Sequence, residues 1–160
     1  MTFEYDTVGL KPGHVKLHYR AQHPMDGQRP LDPLNIIAAA TAFQDRLAGD
    51  VTAGKRTWTD YLDDRAYTGD RDIEANGIFI FLEPPAFIGR TTLERAYQVL
   101  EGMKMATVDK TTLPPNGPVE EARIASSVII GQDEFFVCNV RLGKDTPANL
   151  QAARGTPIIN

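Results

Sequence analysis

Apolar positions alternate with polar ones along parts of this chain and recur at helical spacing along others. Val15, Leu17 and Tyr19 alternate with His14, Lys16, His18 and Arg20, which predicts a first strand with one apolar and one basic face. Residues 122–130 and 134–142 are rich in β-branched and aromatic residues and are separated only by Gly131-Gln132-Asp133, so they read as a hairpin. Period-2 counting puts Phe136, Cys138, Val140 and Leu142 on the inward face of its second strand, with Asn139 and Arg141 opposite. In its first strand Ile124, Val128 and Ile130 share a face, interrupted by Ser126. Residues 77–82 form an almost continuous apolar run between Asn76-Gly77 and Pro84-Pro85. It is too short for a helix, and it predicts a strand covered on both sides.

Two segments have the helical period. Ile36, Ile37, Ala40, Phe43 and Leu47 form one stripe, with Asp32 placed to cap its start, Pro33 in the first turn and Gly49 placed to end it. Leu93, Ala96, Tyr97, Leu100 and Met103 form the other, and Thr91 with Glu94 has the spacing of a capping box. Gly102 costs that helix about 1 kcal/mol relative to alanine and predicts early fraying.

Residues 22–30 and 111–118, with their prolines and glycines, read as loops. Residues 50–76 show no single period: Thr57, Trp58, Tyr61 and Tyr67 are interleaved with Asp60, Asp63, Asp64, Asp70 and Asp72. A short strand or turn near 56–62 followed by a polar loop is the expectation there. From Lys144 onward, Pro147, Gly155 and Pro157 suggest a surface arm. The order is strand, helix, an unassigned stretch, strand, helix, strand, strand. That is an α+β chain of one domain, residues 1–160, with a mainly antiparallel sheet of four or five strands and two helices on one face. The ferredoxin-like split arrangement is the nearest named topology.

Composition supports a real core and narrows the partners. Of 160 residues 42% are apolar, and a domain of this length buries roughly 70% of its unfolded surface. With 21 acidic and 17 basic residues the net charge is −4, against a nucleic acid as main partner. No run approaches the roughly 18 apolar residues of a membrane span, and the first six residues do not resemble a signal peptide. Cys138 is the only cysteine, so there is no internal disulfide and no cysteine zinc cluster. On the inward face it reads as a small buried hydrophobe rather than a nucleophile, and a lone cysteine suits the cytosol or a virus particle without excluding secretion.

Two constellations carry candidate chemistry. His14, Lys16, His18 and Arg20 project together from the first strand, with His23 just beyond, and make a candidate anion site. A solvated sheet face is the plainer reading. His14 and His18 stand about 13 Å apart along a strand, too far to share a metal. Trp58, Tyr61 and Tyr67 are candidate walls of a binding surface, with core packing as the alternative. Residues 70–77 alternate oxygen ligands like a calcium loop but have Ala75 at the glycine position and Phe81 where the bidentate glutamate belongs, so no metal is expected. Gly89-Arg90 offers a weak anion site at a helix start. No phosphate loop, nucleophile elbow or zinc-protease motif is present.

The preferred expectation is a non-catalytic binding or assembly protein that contacts another protein or a small acidic ligand, with self-association open and no cofactor. The alternative is a cofactor-free isomerase, cyclase or hydrolase with His18 and Asp63 or Asp64 as an acid–base pair in a pocket between sheet and helices.

Overall fold

The computed structural model describes residues 2–22, 31–62, 70–84, 90–109, 121–147 and 149–150. In chain order the elements are β1 (Thr2–Thr7), β2 (Gly13–Gln22), α1 (Pro33–Thr52), β3 (Asp72–Ala75), β4 (Ile78–Glu83), α2 (Leu93–Val108), β5 (Glu121–Ile130) and β6 (Asp133–Lys144). The strands form one sheet of six in the order β1-β2-β5-β6-β4-β3, every neighbouring pair antiparallel.

The expected four or five strands are therefore six, and the additions are the two edges. β1 alternates Phe3 and Tyr5 with Thr2, Glu4 and Asp6. β3 is the acidic stretch that resembled a calcium loop, and it turns into β4 through Asn76 and Gly77, both at positive φ. The ferredoxin-like analogy holds only in part. The β4-α2-β5 crossover brackets one strand, β6, as a split unit does, whereas β2-α1-β3 spans three.

α1 and α2 lie on one face and enclose the core. Val15, Leu17 and Tyr19 of β2, Ile80 and Leu82 of β4, and Ile124, Cys138, Val140 and Leu142 of the hairpin meet Ile36, Phe43 and Leu47 of α1 and Leu93, Leu100 and Met103 of α2. Each such side chain contributes about 1.5–3 kcal/mol by leaving water. Burial pushes the Cys138 thiol up to about 12, so it is neutral and inert at physiological pH. β4 is covered on both sides, as its unbroken apolar run predicts: Phe79 and Phe81 point away from the helices and pack with Leu150. That contact comes from Leu150, within the stretch read as an arm, whose N–H donates to the Thr146 carbonyl.

The helix ends differ from expectation by a few residues. Asp32 caps α1 by accepting from the Leu34 N–H, but the helix passes Gly49 and ends at Thr52, with Gly54 taking the positive φ. α2 is capped by Thr92, not Thr91, whose hydroxyl instead donates to the Val137 carbonyl. Gly102 does not fray α2. It is buried where the helix crosses β2, and a Cβ there would collide with the Val15 Cγ2 methyl.

The largest departure is local to β6. A bulge between Ser126 and Ser127 pairs Ser126 with Cys138 but Ser127 with Phe136, leaving Val137 as the extra residue. Val137 turns inward, and Phe136, expected in the core, is 45% exposed on the opposite face. A one-residue slip flips every side chain beyond it.

Candidate functional site

The sheet face away from the helices carries the predicted basic row, and the fold places carboxylates among it. β1 pairs with β2 so that Glu4 lies opposite Lys16 and Asp6 opposite His14. His14 sits between two acids, Nε2 2.9 Å from Glu4 and Nδ1 2.7 Å from Asp6. Lys16 Nζ is 3.6 Å from Glu4 and 3.7 Å from Glu134, and His18 Nε2 is 3.0 Å from Glu134. The Ser127 hydroxyl donates to the same Glu134 oxygen at 2.6 Å. Hydrogen bonds from His14 to Glu4 and Asp6 raise its pKa. Those from Ser127 and then His18 hold Glu134 below the usual carboxylate range.

Three of the four basic residues thus have acidic partners within the face, a ladder of alternating sign. Arg20 stands apart from it: its cross-strand neighbour on β5 is Arg123, which faces Arg141 on β6. The part of the ladder held by Glu4 and Asp6 was not legible without β1, although the alternation of Phe3 and Tyr5 with Glu4 and Asp6 was the available signal.

The aromatic candidates lie elsewhere. Trp58 packs edge-on against Tyr97 at 5.4 Å, with the Lys11 ammonium 4.9 Å above its ring. Tyr61 is exposed, bridges to Thr92 and carries the Arg90 guanidinium 5.0 Å over its ring. Neither converges with the basic row. Tyr67, Asp63 and Asp64 fall outside the described residues.

Tyr61 and Arg90 stand instead beside a pocket at the start of α2. It has a volume of about 250 Å³ and is lined by Arg90, Thr91, Thr92 and Arg95 on one side and by Val128, Ile130 and Phe135–Val137 on the other. The β6 bulge makes this pocket. It frees the Val137 carbonyl for the Thr91 hydroxyl and leaves Phe135 and Phe136 half exposed on opposite faces of the hairpin end, with Ile130 beside them. Its positive charge comes from side chains. The first-turn amides of α2 are taken: Leu93 N–H donates to the Asp60 carbonyl, Glu94 N–H to that of Trp58 and Arg95 N–H to the Thr92 hydroxyl. The first turn therefore has no free amide to offer an anion, and Gly89 of the expected Gly89-Arg90 site lies outside the described residues.

The segment after α1 that bonds to this helix start is tied down by a buried ion pair. Arg56 Nη1 meets Asp70 Oδ2 at 2.5 Å, and Arg56 also donates to the Tyr61 carbonyl. Among the described residues no group of three or more His, Cys, Asp or Glu side chains is arranged to hold a metal, and no helix is long and apolar enough to cross a membrane. No protein-family model, curated protein or solved structure matches the chain.

Proposed function

We propose that this is a non-catalytic binding protein that docks a protein partner at the pocket between the start of α2 and the β5–β6 hairpin. The partner inserts one aromatic or aliphatic side chain next to a carboxylate. The observation that carries this reading is the combination of two arginines, Arg90 and Arg95, with exposed Ile130 and Phe135 around one small cavity.

Size and charge select the occupant. Small-molecule sites usually span about 300–1,000 Å³, so about 250 Å³ is short for a cofactor and ample for one side chain. An exposed aromatic beside arginine is the kind of pair that anchors protein interfaces, and Arg90 and Arg95 are the charged residues of the lining, favouring an acidic neighbour on the partner. The catalytic alternative needs His18 enclosed with an aspartate. His18 instead lies on the sheet face, a third exposed and engaged with Glu134.

N-acetylphenylalaninate, a ring and a carboxylate in one probe, tests the reading by amide NMR. It should shift the signals of Arg90, Ile130 and Phe135, more strongly than the uncharged N-acetylphenylalaninamide does. Arg90→Gln with Arg95→Gln should remove that preference. Shifts absent from these residues at millimolar probe, or equal for the two probes, refute it.

A further inference from the structure

β1 is the outermost strand on one side of the sheet, and among the described residues it pairs with β2 alone. In an antiparallel pair alternate residues turn their N–H and C=O groups away from the neighbour, so an edge strand offers a row of backbone donors and acceptors. On the helix side this edge borders a groove of about 380 Å³. Tyr5 of β1, Ile37 of α1, and Met105 and Val108 of α2 supply its apolar lining, and Val108 is 66% exposed. Its polar groups are already ordered: Lys104 is held by Glu101 and Gln44, and the Tyr5 hydroxyl donates to Asp109. On the opposite face of the strand project Glu4 and Asp6, and β1 has no basic residue of its own. The Asp6 side chain is 86% exposed and meets His14 through Oδ1.

We infer that the open edge of β1 takes up an extended segment of a protein partner as a further strand, one whose apolar side chains enter the groove and whose alternating basic side chains face Glu4 and Asp6. Strand addition draws its affinity from main-chain hydrogen bonds and its specificity from alternate side chains. Here the two sides of the added strand meet different surroundings: the apolar lining on one, and on the other two carboxylates that favour opposite charge across the pair. A second copy of this chain is the wrong occupant, because β1 laid against β1 sets Glu4 and Asp6 among the same acids, and like charges so placed are destabilising. The edge shares no residue with the pocket at the start of α2, so either site can fail without the other.

The probe is acetyl-Lys-Val-Lys-Val-Lys-Val-amide, matched in length to the six residues of β1 and titrated into the intact chain under amide NMR. Saturable shifts centred on Thr2–Thr7 and Val108 are expected. The same peptide N-methylated at every backbone amide, and one with glutamate in place of lysine, should each bind about tenfold more weakly or worse. Glu4→Gln with Asp6→Asn should weaken the lysine peptide about threefold or more, while Arg90→Gln with Arg95→Gln leaves it unchanged. Absent shifts at millimolar peptide, or equal binding of the N-methylated peptide, overturns strand addition. Equal binding of the glutamate peptide, or undiminished binding by the Glu4 and Asp6 double variant, overturns the basic partner. Concentration-dependent shifts at Thr2–Thr7 without any peptide assign the edge to a second copy and overturn the inference as well. Should the double variant not fold, Val108→Ser, which leaves the His14 contacts in place, decides the question: it should weaken the lysine peptide by a similar factor, and unchanged binding counts against the groove.

Discussion

Replacing Gly102 by alanine separates what helix propensity implies from what packing dictates. Propensity alone makes the change favourable by about 1 kcal/mol, because glycine in a helix interior loses more backbone entropy than alanine. In the fold, the added Cβ would collide with Cγ2 of Val15, a fully buried residue in the core. Valine is stiff at χ1, so relief requires the helix or the strand to shift, and overpacking of this kind typically costs about 1–3 kcal/mol. The net expectation runs from about zero to about 2 kcal/mol of destabilisation, with each kcal/mol worth roughly 2–4 °C in Tm for a chain of this size. Urea unfolding should show a lower or equal midpoint with an unchanged m-value. In a Val15→Ala background the obstructing methyl is gone, and Gly102→Ala should then stabilise by about 1 kcal/mol. If Gly102→Ala raises the midpoint of the otherwise unaltered chain by that amount, the close approach of α2 to β2 is wrong.

Other consequences follow from the same geometry. Phe136→Ala should cost less than about 1 kcal/mol in urea unfolding, since the bulge leaves the ring half exposed; a loss of about 3–5 kcal/mol would return it to the core. Asp70→Ala should cost about 3–5 kcal/mol because it leaves the buried Arg56 guanidinium without its closest carboxylate, and a change below about 1 kcal/mol would contradict that role. The pKa of His14 is raised above its ordinary 6.5, so its contribution to stability is full below that pH and is lost as pH rises through the folded value. The Glu4 carboxyl is lowered from 4.5, chiefly by its hydrogen bond with His14, so its contribution is present above that pH and is lost as pH falls through the folded value. The melting temperature of His14→Gln should therefore fall furthest below that of the unaltered chain in weakly acidic solution and approach it in alkali; parallel profiles would refute the clamp.

Both helices, the paired hydrophobic strands β5 and β6 and the doubly covered β4 were legible in the sequence because each rests on local periodicity over several residues. Asp32 and Pro33 mark the start of α1 by chemistry confined to one turn, and Cys138, Val140 and Leu142 declare their face by simple alternation. β1 carried the same signal in Phe3 and Tyr5 but in a short, charge-rich edge strand, and the Asn76-Gly77 turn marked β3 as half of a hairpin despite its acidic composition. Only the tertiary structure decided the rest. A bulge changes register through a mismatch in length between two strands, which no count along one strand contains, so Phe136 left the core and a pocket formed beside Arg90 and Arg95. Gly102 looks like a weak point until Val15 of a strand far away in sequence is brought against it. His14, Lys16 and His18 form a basic row in the chain and a neutralising ladder in the sheet, because Glu4, Asp6 and Glu134 arrive from other strands. Local periodicity is written into neighbouring residues, whereas charge balance and close approach belong to pairs that only folding brings together.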